Sequence, residues 1–557
     1  MVKIHNLGEI MAVNLFGTDG IRGEFAELNE GDEVALSQLT DNRIISPQLL
    51  KLLGECLGKL AQYDVQPTVV IGWDDRPGNQ KLASSLTVGL NLSGCKVVHI
   101  GICATPTLHY LSLKFGAIYG CMITASHNPA SDSGLKIFDN EGFKTTPEFE
   151  LSLSKLMYDL SMEDREIDEI EAEQLKNPAE DYSNSDLTQQ THSNWLNTRV
   201  SLIENLMSGV NPNNDLKIAN PLLIDSSRGF ACSWFANWLT HWGIVAQEVS
   251  LGATELNLHC GAGEFSPTDS WTIEEATQSP HCLLNRLQYQ QPGTLVGAAF
   301  DGDGDRCLLI TTTEDGYAVI DGDNIADTIL GAVTINKSWN FAASIESDLS
   351  LTTNLERYDS KVSAIETAVG DRWLSFALKD SSSTNLAKSI SMPTLLGVED
   401  SGHLVLASPH PNIPQKWTLV GDGIMTLMAY LVSIKHQTER SKMVSGWKKR
   451  QSVSGVDRSK WNGHNALSDK LEQHFRINLN SVASIENWQR STVSGEPNLM
   501  MLSCLFNSKR LSIGIRNSGT QAKISVSARL ESGADPKRLG DIVSSACDIL
   551  QKSMTSQ

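Results

Sequence analysis

Short apolar runs alternate with amphipathic stretches along most of the chain, and this pattern predicts strands followed by helices. The first example is the run TVVIG, which is followed by a helical stretch ending at Leu92 and by the run KVVHIG. A buried strand, a helix and a second buried strand form a βαβ unit, in which the strands are parallel. The pattern occurs three times, at residues 68–101, 222–249 and 341–365. The sequence therefore predicts three similar α/β domains with mixed, mostly parallel sheets.

The C-terminal part of the chain has a different pattern. Predicted strands at 502–506 and 509–515 are followed by a closing helix after Asp535, which indicates a smaller α+β domain. The acidic stretch 163–181 predicts a solvated linker helix, and the polar residues 182–194 indicate a domain boundary. The predicted domains are 1–180, 181–312, 313–438 and 439–557.

The charge balance narrows the choice of partners. The 557 residues include 45 Lys and Arg against 65 Asp and Glu, for a formal net charge of −20. Nucleic-acid phosphates and anionic lipids bind positive surfaces, so we expect neither a nucleic acid nor a membrane as partner. An anionic small-molecule substrate would require a local cluster of Lys, Arg and His.

Cysteine spacing and apolar run length favour a cytoplasmic protein with reduced thiols. None of the ten cysteines stands at CxxC spacing, so the sequence indicates neither a zinc site nor a redox motif. The longest apolar run, at 424–434, is shorter than the ~20 residues that a membrane helix needs. The N-terminal residues lack the apolar core of a signal peptide, and translation can begin at Met1 or at Met11.

The segment TASHNP at 124–129 carries the first group of candidate chemical side chains. It follows a predicted strand at 119–123, so Ser126 would lie at the carboxyl end of a strand, where open α/β sheets bind ligands. Ser126 beside His127 offers a nucleophile, and Lys136 offers a cation for an anionic substrate. A simple polar turn is the alternative interpretation, because Ser, Asn and Pro all favour turns.

The segment DGDGDR places Asp301, Asp303 and Asp305 at alternate positions after a predicted strand. The glycines between them let the backbone curl, so the three carboxylates can converge on one hard cation. We therefore predict a divalent metal site, with Mg²⁺ as the ion. The second Asp-Gly-Asp sequence, at 321–323, is interpreted as a hairpin turn.

Two further segments contain polar side chains at short spacing. GVEDSGH offers an acceptor at Glu399, a hydroxyl group at Ser401 and an imidazole at His403, which together suit a polyol. A structural histidine is the alternative there. FGTDGIRG carries one cation, Arg22, and has neither P-loop nor GxGxxG spacing, so it does not indicate a nucleotide site.

The segment RNSGT follows a predicted strand and forms a candidate phosphate cradle. Arg516 can donate two parallel hydrogen bonds, Ser518 and Thr520 add hydroxyl groups, and Gly519 leaves the backbone amides accessible.

Together and in this order, these segments resemble motifs of the α-D-phosphohexomutase family. The matching segments are FGTDGIRG at 16–23, TASHNP at 124–129, DGDGDR at 301–306, EDSGH at 399–403 and RNSGT at 516–520. Weaker similarities are NLHCGAGEFSP at 257–267, VGDRW at 369–373 and GDG at 421–423. The resemblance implies three similar α/β domains and a C-terminal α+β domain around a central cleft.

The resemblance also implies roles for the candidate residues. Ser126 matches the phosphoserine of the family, which supplies a further oxygen ligand to Mg²⁺, and Arg22 and Lys136 match positions of acid/base assistance. The candidate catalytic residues are Arg22, Ser126, His127 and Lys136, the candidate metal ligands are Ser126, Asp301, Asp303 and Asp305, and the candidate substrate contacts are Arg306, Glu399, Ser401, His403, Arg516, Ser518, Gly519 and Thr520.

The implied reaction moves phosphate between O6 and O1 of a hexose phosphate. The phosphoryl group of Ser126 passes to the sugar, the resulting 1,6-bisphosphate turns over, and the other phosphate returns to Ser126. One Mg²⁺ per chain and the neighbouring cations would stabilise charge on the transferring group. The implied partner is a small-molecule phosphosugar, hexose 1,6-bisphosphate is the implied activator, and we expect a monomer or a homodimer.

Two segments point to one branch of the family, and three positions depart from the family pattern. FGTDGIRG and VGDRW most resemble the branch that interconverts glucosamine 6-phosphate and glucosamine 1-phosphate. In the family, the phosphate-binding segment that matches RNSGT usually has Pro and Glu where this chain has Asn517 and Gln521. The sugar-binding segment that matches EDSGH usually has Gln or Met where this chain has Asp400. The carboxylate of Asp400 either favours a cationic amino sugar or faces solvent.

Three alternatives to this function stay open. The first is a branch of the family that acts on mannose and glucose phosphates. The others are a phosphomonoesterase, in which water attacks the phosphoserine, and a non-catalytic phosphosugar-binding protein.

Overall fold

The computed structural model describes residues 15–28, 31–61, 66–163, 173–207, 217–332, 337–436, 443–517 and 522–555. The chain divides into two compact units, residues 1–191 and residues 192–557. The described residues form four sheets, of which one lies in the first unit and three lie in the second. We number these sheets in chain order.

The first sheet is mixed, with parallel neighbours in its centre and at both edges. In spatial order its strands are Ile44–Ile45, Ile21–Phe25, Asp132–Phe138, Tyr119–Ile123, Thr68–Trp73, Lys96–Ile102 and Glu180–Asp181. Its helices are Asp32–Asn42, Pro47–Leu60, Asn79–Leu92, Thr105–Lys114 and Pro147–Ser161. The parallel register of Thr68–Trp73 with Lys96–Ile102, across the helix Asn79–Leu92, confirms the first predicted βαβ unit.

Apolar side chains of the first sheet alternate between two cores. Val69 and Ile71 lie in the core that includes helices Pro47–Leu60 and Asn79–Leu92, whereas Val70 lies in a second core. Successive side chains of a strand point to opposite faces, so a continuous apolar run such as TVVIG is expected where both faces are covered.

The acidic stretch predicted as a linker ends in a strand. Its residues 164–172 lie outside the described part of the chain, but Glu180–Asp181 pairs in parallel with Lys96–Ile102. The linker interpretation is therefore wrong at this end. The Lys96 ammonium group lies 2.5 Å from Glu180 and so compensates the charge of one carboxylate in this strand.

The second sheet contains the second predicted unit in a modified form. In spatial order its strands are Ser270–Thr272, Gly316–Ile320, Cys307–Thr312, Leu295–Phe300, Ile218–Asp225 and Ala246–Glu248. Its α-helices are Phe235–His241 and Ile273–Gln278, its 3₁₀ turns are Phe230–Ser233, Ser250–Gly252, Ala262–Glu264 and Leu284–Arg286, and the helix Leu187–Met207 precedes it in the chain. The single helix expected up to residue 242 is thus a 3₁₀ turn followed by a short α-helix.

The third sheet contains the third predicted βαβ unit. In spatial order its strands are Lys361–Thr367, Ser338–Ser344, Leu395–Val398, Leu404–Pro409 and Trp417–Gly421. Its α-helices are Gly322–Ala332, Leu349–Thr352, Asp371–Ala387 and Gly423–Lys435, with a 3₁₀ turn at Leu355–Arg357. The first of these helices begins inside the second Asp-Gly-Asp sequence, so the hairpin interpretation of residues 321–323 is wrong. The physical reason is that the Asp321 carboxylate accepts the backbone N–H of Asn324, as a helix cap does.

The fourth sheet is antiparallel throughout its described strands, as expected for the C-terminal α+β domain. In spatial order the strands are Trp447–Ser454, Lys523–Leu530, Lys509–Asn517, Met500–Phe506 and Ile485–Ser491. Its helices are Ala466–Asn480 and Leu539–Met554, with a 3₁₀ turn at Arg458–Lys460. The boundaries of the four predicted domains stay a prediction.

Within the described ranges, no helix is long and apolar enough to cross a membrane. The longest apolar run instead forms the buried helix Gly423–Lys435. The cysteines are free, and all except the half-buried Cys232 are buried, as expected for reduced thiols.

Candidate active site

The Ser126 loop begins where a central strand of the first sheet ends. Tyr119–Ile123 runs parallel to Thr68–Trp73, so Ser126 lies just past a carboxyl end, as predicted. Ser126 has a φ of 56°, in the left-handed region that residues other than glycine rarely adopt. Its backbone N–H donates to Thr124 Oγ1 at 2.8 Å, and the residue is only 1 % exposed. Backbone strain of this kind concentrates at functional positions.

Arg76 holds the Ser126 loop in this conformation. Its guanidinium group donates to the carbonyl oxygen of Ser126 at 2.5 Å and to that of Asn128 at 2.9 Å. It also donates to the carbonyl oxygens of Pro129 and Asp132. Sequence reasoning did not identify Arg76, although the polar segment WDDRPGN after the first strand was a usable signal.

A buried polar network continues below Arg76. Asp74 accepts from Arg76 Nε at 2.9 Å, from Thr124 Oγ1 at 2.6 Å and from Asn79 Nδ2 at 2.6 Å. Asn79 Oδ1 in turn accepts from the hydroxyl group of Ser133 at 2.6 Å. Because the polar groups of the network pair with one another, it can stay buried at little cost and fix the loop on rigid strands.

Three cations surround Asp19 at the start of the same unit. The carboxylate of Asp19 lies 2.7 Å from Lys144 Nζ, 3.3 Å from Lys136 Nζ and 3.2 Å from an Arg22 guanidinium nitrogen. Burial raises the pKa of Asp19, but these cations outweigh it and hold the pKa well below its usual range. Arg22 also approaches the carbonyl oxygen of Ala125, at 3.4 Å. The structure therefore brings Arg22 and Lys136 together as predicted and adds Lys144, which sequence reasoning missed.

The three predicted metal ligands converge in the second unit. Asp301, Asp303 and Asp305 are each at most 1 % exposed, and each offers a carboxylate oxygen within 4.8 Å of the other two. The backbone N–H groups of Asp305 and Arg306 both donate to Asp301 Oδ1 at 3.1 Å, which closes the loop. Buried carboxylate oxygens at this spacing are the donors that Mg²⁺ prefers, so the residues fit the predicted ion.

Arg306 and His403 flank the three aspartates. Arg306 Nε lies 3.9 Å from Asp301; burial lowers the pKa of Arg306, but the surrounding carboxylates outweigh it and raise the pKa above the ordinary value. His403 is buried, with Nδ1 3.9 Å from Asp305 and Nε2 3.2 Å from Asp371. We call residues 301–306 the metal loop; His403 thus links the metal loop to the VGDRW segment at 369–373.

The sugar-loop candidates are close to the same elements. Glu399 Oε1 accepts the backbone N–H of Gly370 at 2.6 Å, which orients its carboxylate. The backbone N–H of Glu399 donates to the carbonyl oxygen of His403 at 2.9 Å, so the loop turns tightly around the half-buried Ser401. At Gly402, where φ is +88°, an added Cβ would lie 2.2 Å from the carbonyl oxygen of Cys307. The EDSGH loop therefore packs directly against the start of the strand that follows the metal loop.

Asp400 has a role that neither interpretation of its sequence position anticipated. Its carboxylate lies 3.0 Å from Lys448 Nζ, which is also 3.0 Å from Asp323 and 3.4 Å from Asp321. Burial raises the pKa of Asp400 to about 7 and that of Asp321 to about 6, and the Lys448 ammonium group opposes both shifts. Asp400 therefore neither faces solvent freely nor is left to bind a cationic sugar. We call Lys448, Asp321, Asp323 and Asp400 the Lys448 cluster.

Arg516 is held between two carboxylates of the second unit. Its guanidinium nitrogens lie 3.1 Å from Glu346 and 3.2 Å from Glu496. Burial lowers the pKa of Arg516, but these carboxylates outweigh it and raise the pKa above the ordinary value. Phosphate binding at Arg516 would therefore compete with these ion pairs. Ser518, Gly519 and Thr520 lie outside the described residues, as does Gln521.

Asn517, which stands where the phosphate-binding segment of the family usually has Pro, has a structural role. Its side-chain amide donates to the carbonyl oxygens of Arg458 at 3.0 Å and Trp461 at 3.1 Å. A proline at this position would have no side-chain donor, so these two hydrogen bonds are specific to the Asn.

The site candidates thus form one group in each unit. In the first unit, Arg22 contacts the Ser126 loop and shares Asp19 with Lys136, while His127 is half-buried next to Ser126. In the second unit the EDSGH loop contacts both the metal loop and the VGDRW segment. The roles of the individual residues stay predictions.

Two family models match the chain. Residues 13–163 match "Phosphoglucomutase/phosphomannomutase, alpha/beta/alpha domain I", and residues 321–449 match domain III of the same family. Together the matches include the Ser126 loop and the EDSGH loop.

Known proteins are similar to the chain over most of its length. A phosphoglucosamine mutase of Bacillus mycoides is 28 % identical over 434 residues, which is 76 % of this chain and 79 % of the relative. A phosphoglucomutase/phosphomannomutase family protein of Burkholderia thailandensis has a similar fold, with a TM-score of 0.59, 17 % identity and coverage of 98 % and 99 % of the two chains. Aspergillus fumigatus N-acetylphosphoglucosamine mutase, solved with GlcNAc-6P and magnesium, has a TM-score of 0.53 and 15 % identity, with coverage of 95 % of this chain and all of that one.

Proposed function

Because the chain belongs to the α-D-phosphohexomutase family and is an isomerase that moves phosphate on a hexose, we propose that it interconverts glucosamine 6-phosphate and glucosamine 1-phosphate through a phosphoserine at Ser126. The observation that carries this proposal is the strained, buried conformation of Ser126 at the carboxyl end of a parallel strand. Such a backbone is kept only where the surrounding structure demands it, as Arg76 and Thr124 do here.

Each half of the reaction exchanges one P–O bond for another. A sugar hydroxyl oxygen attacks the phosphorus carried by Ser126, the bond from phosphorus to Ser126 Oγ breaks, and the hydroxyl proton leaves the sugar oxygen. In the return step, Ser126 Oγ attacks the phosphorus of the other phosphate of the hexose 1,6-bisphosphate, the bond from that phosphorus to the sugar oxygen breaks, and the sugar oxygen takes up a proton. Arg22 and Lys136 supply positive charge beside the transferring group, and Asp19 positions both.

Asp301, Asp303 and Asp305 would hold one Mg²⁺, which when bound neutralises negative charge that develops on the transferring phosphoryl group. Arg306 lies beside these aspartates and stays protonated, so it can attract the anionic substrate to the same loop. Glu399 and Ser401 would bind sugar hydroxyl groups, and Gly370 holds the Glu399 carboxylate in position for this.

The choice of glucosamine phosphate is supported by the curated relatives rather than by Asp400. The Bacillus mycoides relative and others of similar identity carry the name phosphoglucosamine mutase. Since Asp400 is paired with Lys448, which also contacts Asp321 and Asp323, we expect another carboxylate to recognise an amino group, and Glu399 is the candidate. The cytoplasmic location and the monomeric or dimeric state stay predictions.

The proposal is tested by ³¹P NMR of the full chain with Mg²⁺ and a trace of hexose 1,6-bisphosphate. Parallel samples contain glucosamine 6-phosphate, mannose 6-phosphate or glucose 6-phosphate. We expect the 1-phosphate signal to grow fastest with glucosamine 6-phosphate. Faster growth with another sugar would replace the substrate, inorganic phosphate alone would favour the phosphomonoesterase, and no turnover would favour the non-catalytic alternative.

A further inference from the structure

The GDG segment at 421–423 joins the end of a strand to the start of a buried helix. Trp417–Gly421 is a strand of the third sheet, and the helix Gly423–Lys435 begins two residues after it. Asp422 caps this helix, because its Oδ1 accepts the backbone N–H of Met425 at 3.1 Å. No step of the proposed reaction uses this segment, although it is one of the weaker similarities to the family.

The first residue of this helix contacts the metal loop on both sides of Asp305. The backbone N–H of Gly423 donates to the carbonyl oxygen of Gly304 at 3.0 Å. An added Cβ at Gly423 would lie 2.3 Å from the carbonyl oxygen of Arg306, so the two backbones are in direct contact there. The first N–H groups of a helix have no partner within the helix, and here one of them binds the loop. The helix start therefore constrains the backbone at both neighbours of Asp305.

A buried arginine from a distant helix pairs with the capping carboxylate. Arg199, in the helix Leu187–Met207, donates from a guanidinium nitrogen to Asp422 Oδ2. Arg199 is 2 % exposed and Asp422 is 1 % exposed, so neither charge is shielded by water. The two oxygens of Asp422 thus have different partners, because one holds the helix start and the other holds Arg199.

Arg199 supplies the positive charge that balances Asp422. The His192 imidazole lies 3.6 Å from the same carboxylate oxygen, but burial lowers the pKa of His192 to about 4, so this ring is neutral at pH 7. The guanidinium group of Arg199 lies over the ring of Trp195 at 4.0 Å, which helps to fix its position. Without Arg199, the buried carboxylate would be uncompensated and would favour a position closer to water, away from the helix start.

The rest of the helix has its own packing. Ten of the 13 residues of Gly423–Lys435 are buried, and Ser433 Oγ lies 3.6 Å from Met207 Sδ in the helix that carries Arg199. Loss of the Arg199 pair should therefore disturb the helix start rather than detach the whole helix.

We propose that Arg199 and Asp422 are positioning residues for the metal loop. Arg199 fixes the Asp422 carboxylate, Asp422 caps the helix, and the Gly423 N–H holds the loop next to Asp305. This role rests on the proposed function, in which the three aspartates of the metal loop hold Mg²⁺. Residues that orient metal ligands commonly change the metal affinity by about 10–100-fold when they are replaced, so metal binding is the property to measure.

The first experiment measures Mn²⁺ binding to the full chain by electron paramagnetic resonance. The wild-type chain and Asp303→Asn are measured first and test the metal site by itself. In Arg199→Met, we expect the dissociation constant of the site that depends on Asp303 to rise by about 10-fold or more. The matched control is Arg357→Met, which removes a buried ion pair with Asp327 in the same unit. It should lower the free energy of unfolding without changing the dissociation constant for Mn²⁺.

Two double variants separate the helix cap from the charge balance. In Arg199→Met/Asp422→Asn neither side chain is charged and the Asn keeps a capping oxygen, so the dissociation constant should return close to the wild-type value. In Arg199→Met/Asp422→Ala the charges are also absent but the cap is lost, so the dissociation constant should stay about 10-fold higher. Since neither double variant buries an unpaired charge, this comparison covers the case in which Arg199→Met alone does not fold.

Three results would overturn the positioning role. They are an unchanged dissociation constant in folded Arg199→Met, an equal increase in Arg357→Met, and equal dissociation constants in the two double variants. Mn²⁺ binding that does not depend on Asp303 in the wild-type chain would overturn the metal site of the proposed function together with this role, so the two failures are distinguishable. None of these measurements depends on mutase activity.

Discussion

The guanidinium group of Arg76 organises the Ser126 loop more than any other side chain that contacts it. It binds carbonyl oxygens from four loop residues while its charge is balanced by Asp74, and both side chains of the ion pair are fully buried. A buried pair of this kind is informative because the removal of one partner leaves the other charged and without compensation. Arg76 therefore affects both the stability of the first unit and the position of Ser126.

Arg76→Met should destabilise the first unit and misplace the loop. We expect a loss of about 3–5 kcal/mol in the free energy of unfolding, because Asp74 would stay buried without its cation. In the chain that stays folded, kcat should fall more than KM changes, since loop position affects the transferring group most. Urea unfolding and steady-state kinetics measure both effects. The control is Lys81→Met, which removes an exposed ion pair with Glu27 and should lower the free energy of unfolding by less than about 1 kcal/mol. Equal effects of the two variants would contradict the role assigned to Arg76.

Ser126→Ala tests the phosphoryl carrier itself. The variant lacks the hydroxyl group that we propose as the phosphoryl acceptor, so turnover should fall by at least about 1,000-fold while the melting temperature changes little. Coupled assays of 1-phosphate formation and mass spectrometry of the phosphorylated peptide provide the readout. Ser131→Ala, at an exposed position of the same loop, should keep wild-type activity. Appreciable mutase activity in Ser126→Ala would remove Ser126 from this role.

At the scale of elements, both loops of the second unit that carry candidate chemistry depend on neighbouring segments. The Asp301 loop is closed by its own backbone N–H groups and flanked by His403, which also contacts Asp371. The EDSGH loop is held on one side by Gly370 and on the other by the Lys448 cluster. Because Lys448 belongs to the first strand of the fourth sheet, this cluster connects the third and fourth sheets.

Asp303→Asn should weaken divalent-metal binding at the Asp301 loop. The substitution removes one negative charge and one strong oxygen donor, so the Mg²⁺ concentration for half-maximal activity should rise by roughly 10-fold or more. Mn²⁺ binding followed by electron paramagnetic resonance gives a readout that does not depend on turnover. Asp315→Asn, at an exposed turn in the same sheet, is the matched control. An unchanged metal titration in Asp303→Asn would show that the metal binds elsewhere.

Lys448→Met should destabilise the chain more at pH 8 than at pH 5. The folded-state pKa values of Asp400, about 7, and Asp321, about 6, lie above the ordinary value of 3.8, so the folded state binds more protons than the unfolded state over that interval. Stability therefore falls as pH rises through it. Loss of the Lys448 ammonium group makes this decrease in stability larger. At pH 8 the carboxylates are ionised without a buried counter-charge, which should lower the free energy of unfolding by about 3–5 kcal/mol.

Urea unfolding at the two pH values measures this difference. Lys449→Met, next to it in the strand, removes hydrogen bonds to Gly540 and Ser544 and should cost about 1 kcal/mol at either pH. Asp400→Asn in the Lys448→Met background should restore part of the stability lost at pH 8. Equal destabilisation by Lys448→Met at both pH values would contradict the proposed charge balance.

For the whole molecule, the division into two units has a thermodynamic consequence. The first unit has its own cores on both faces of its sheet, built only from residues of that unit. A chain segment with a self-contained core of this size is expected to fold by itself.

Residues 1–191 expressed alone should therefore fold cooperatively. We expect a far-ultraviolet circular dichroism spectrum with both helix and strand contributions and a single thermal transition. The control is Ile71→Asp in the same fragment, which places a charge at a fully buried position and should abolish the transition. A wild-type fragment without cooperative unfolding would show that its core depends on the second unit.

Strand and motif prediction succeeded where the pattern is local. The strand Tyr119–Ile123, the Ser126 loop after it and the three aspartates after Leu295–Phe300 all follow from apolar runs and short spacings. The hairpin predicted at 321–323 is wrong because Asp321 caps a helix there through the backbone N–H of Asn324, and the distant Lys448 also pairs with Asp321 and Asp323. Arg76 and Lys144 were missed because the groups through which they join the site, the Ser126 carbonyl oxygen and the Asp19 carboxylate, lie 50 or more residues away in the chain.

The sequence by itself determined the fold class, the family and the order of the chemical segments, because these depend on periodicity and on residues close together in the chain. Only the tertiary structure decided the long-range partners of Asp19, Asp400 and Arg516, since each pairs with a charge from a distant part of the chain. The same holds for the surroundings of Asp225. The backbone N–H of Gly261 and the thiol of Cys282 both donate to its carboxylate because two irregular loops fold back onto the end of one buried strand.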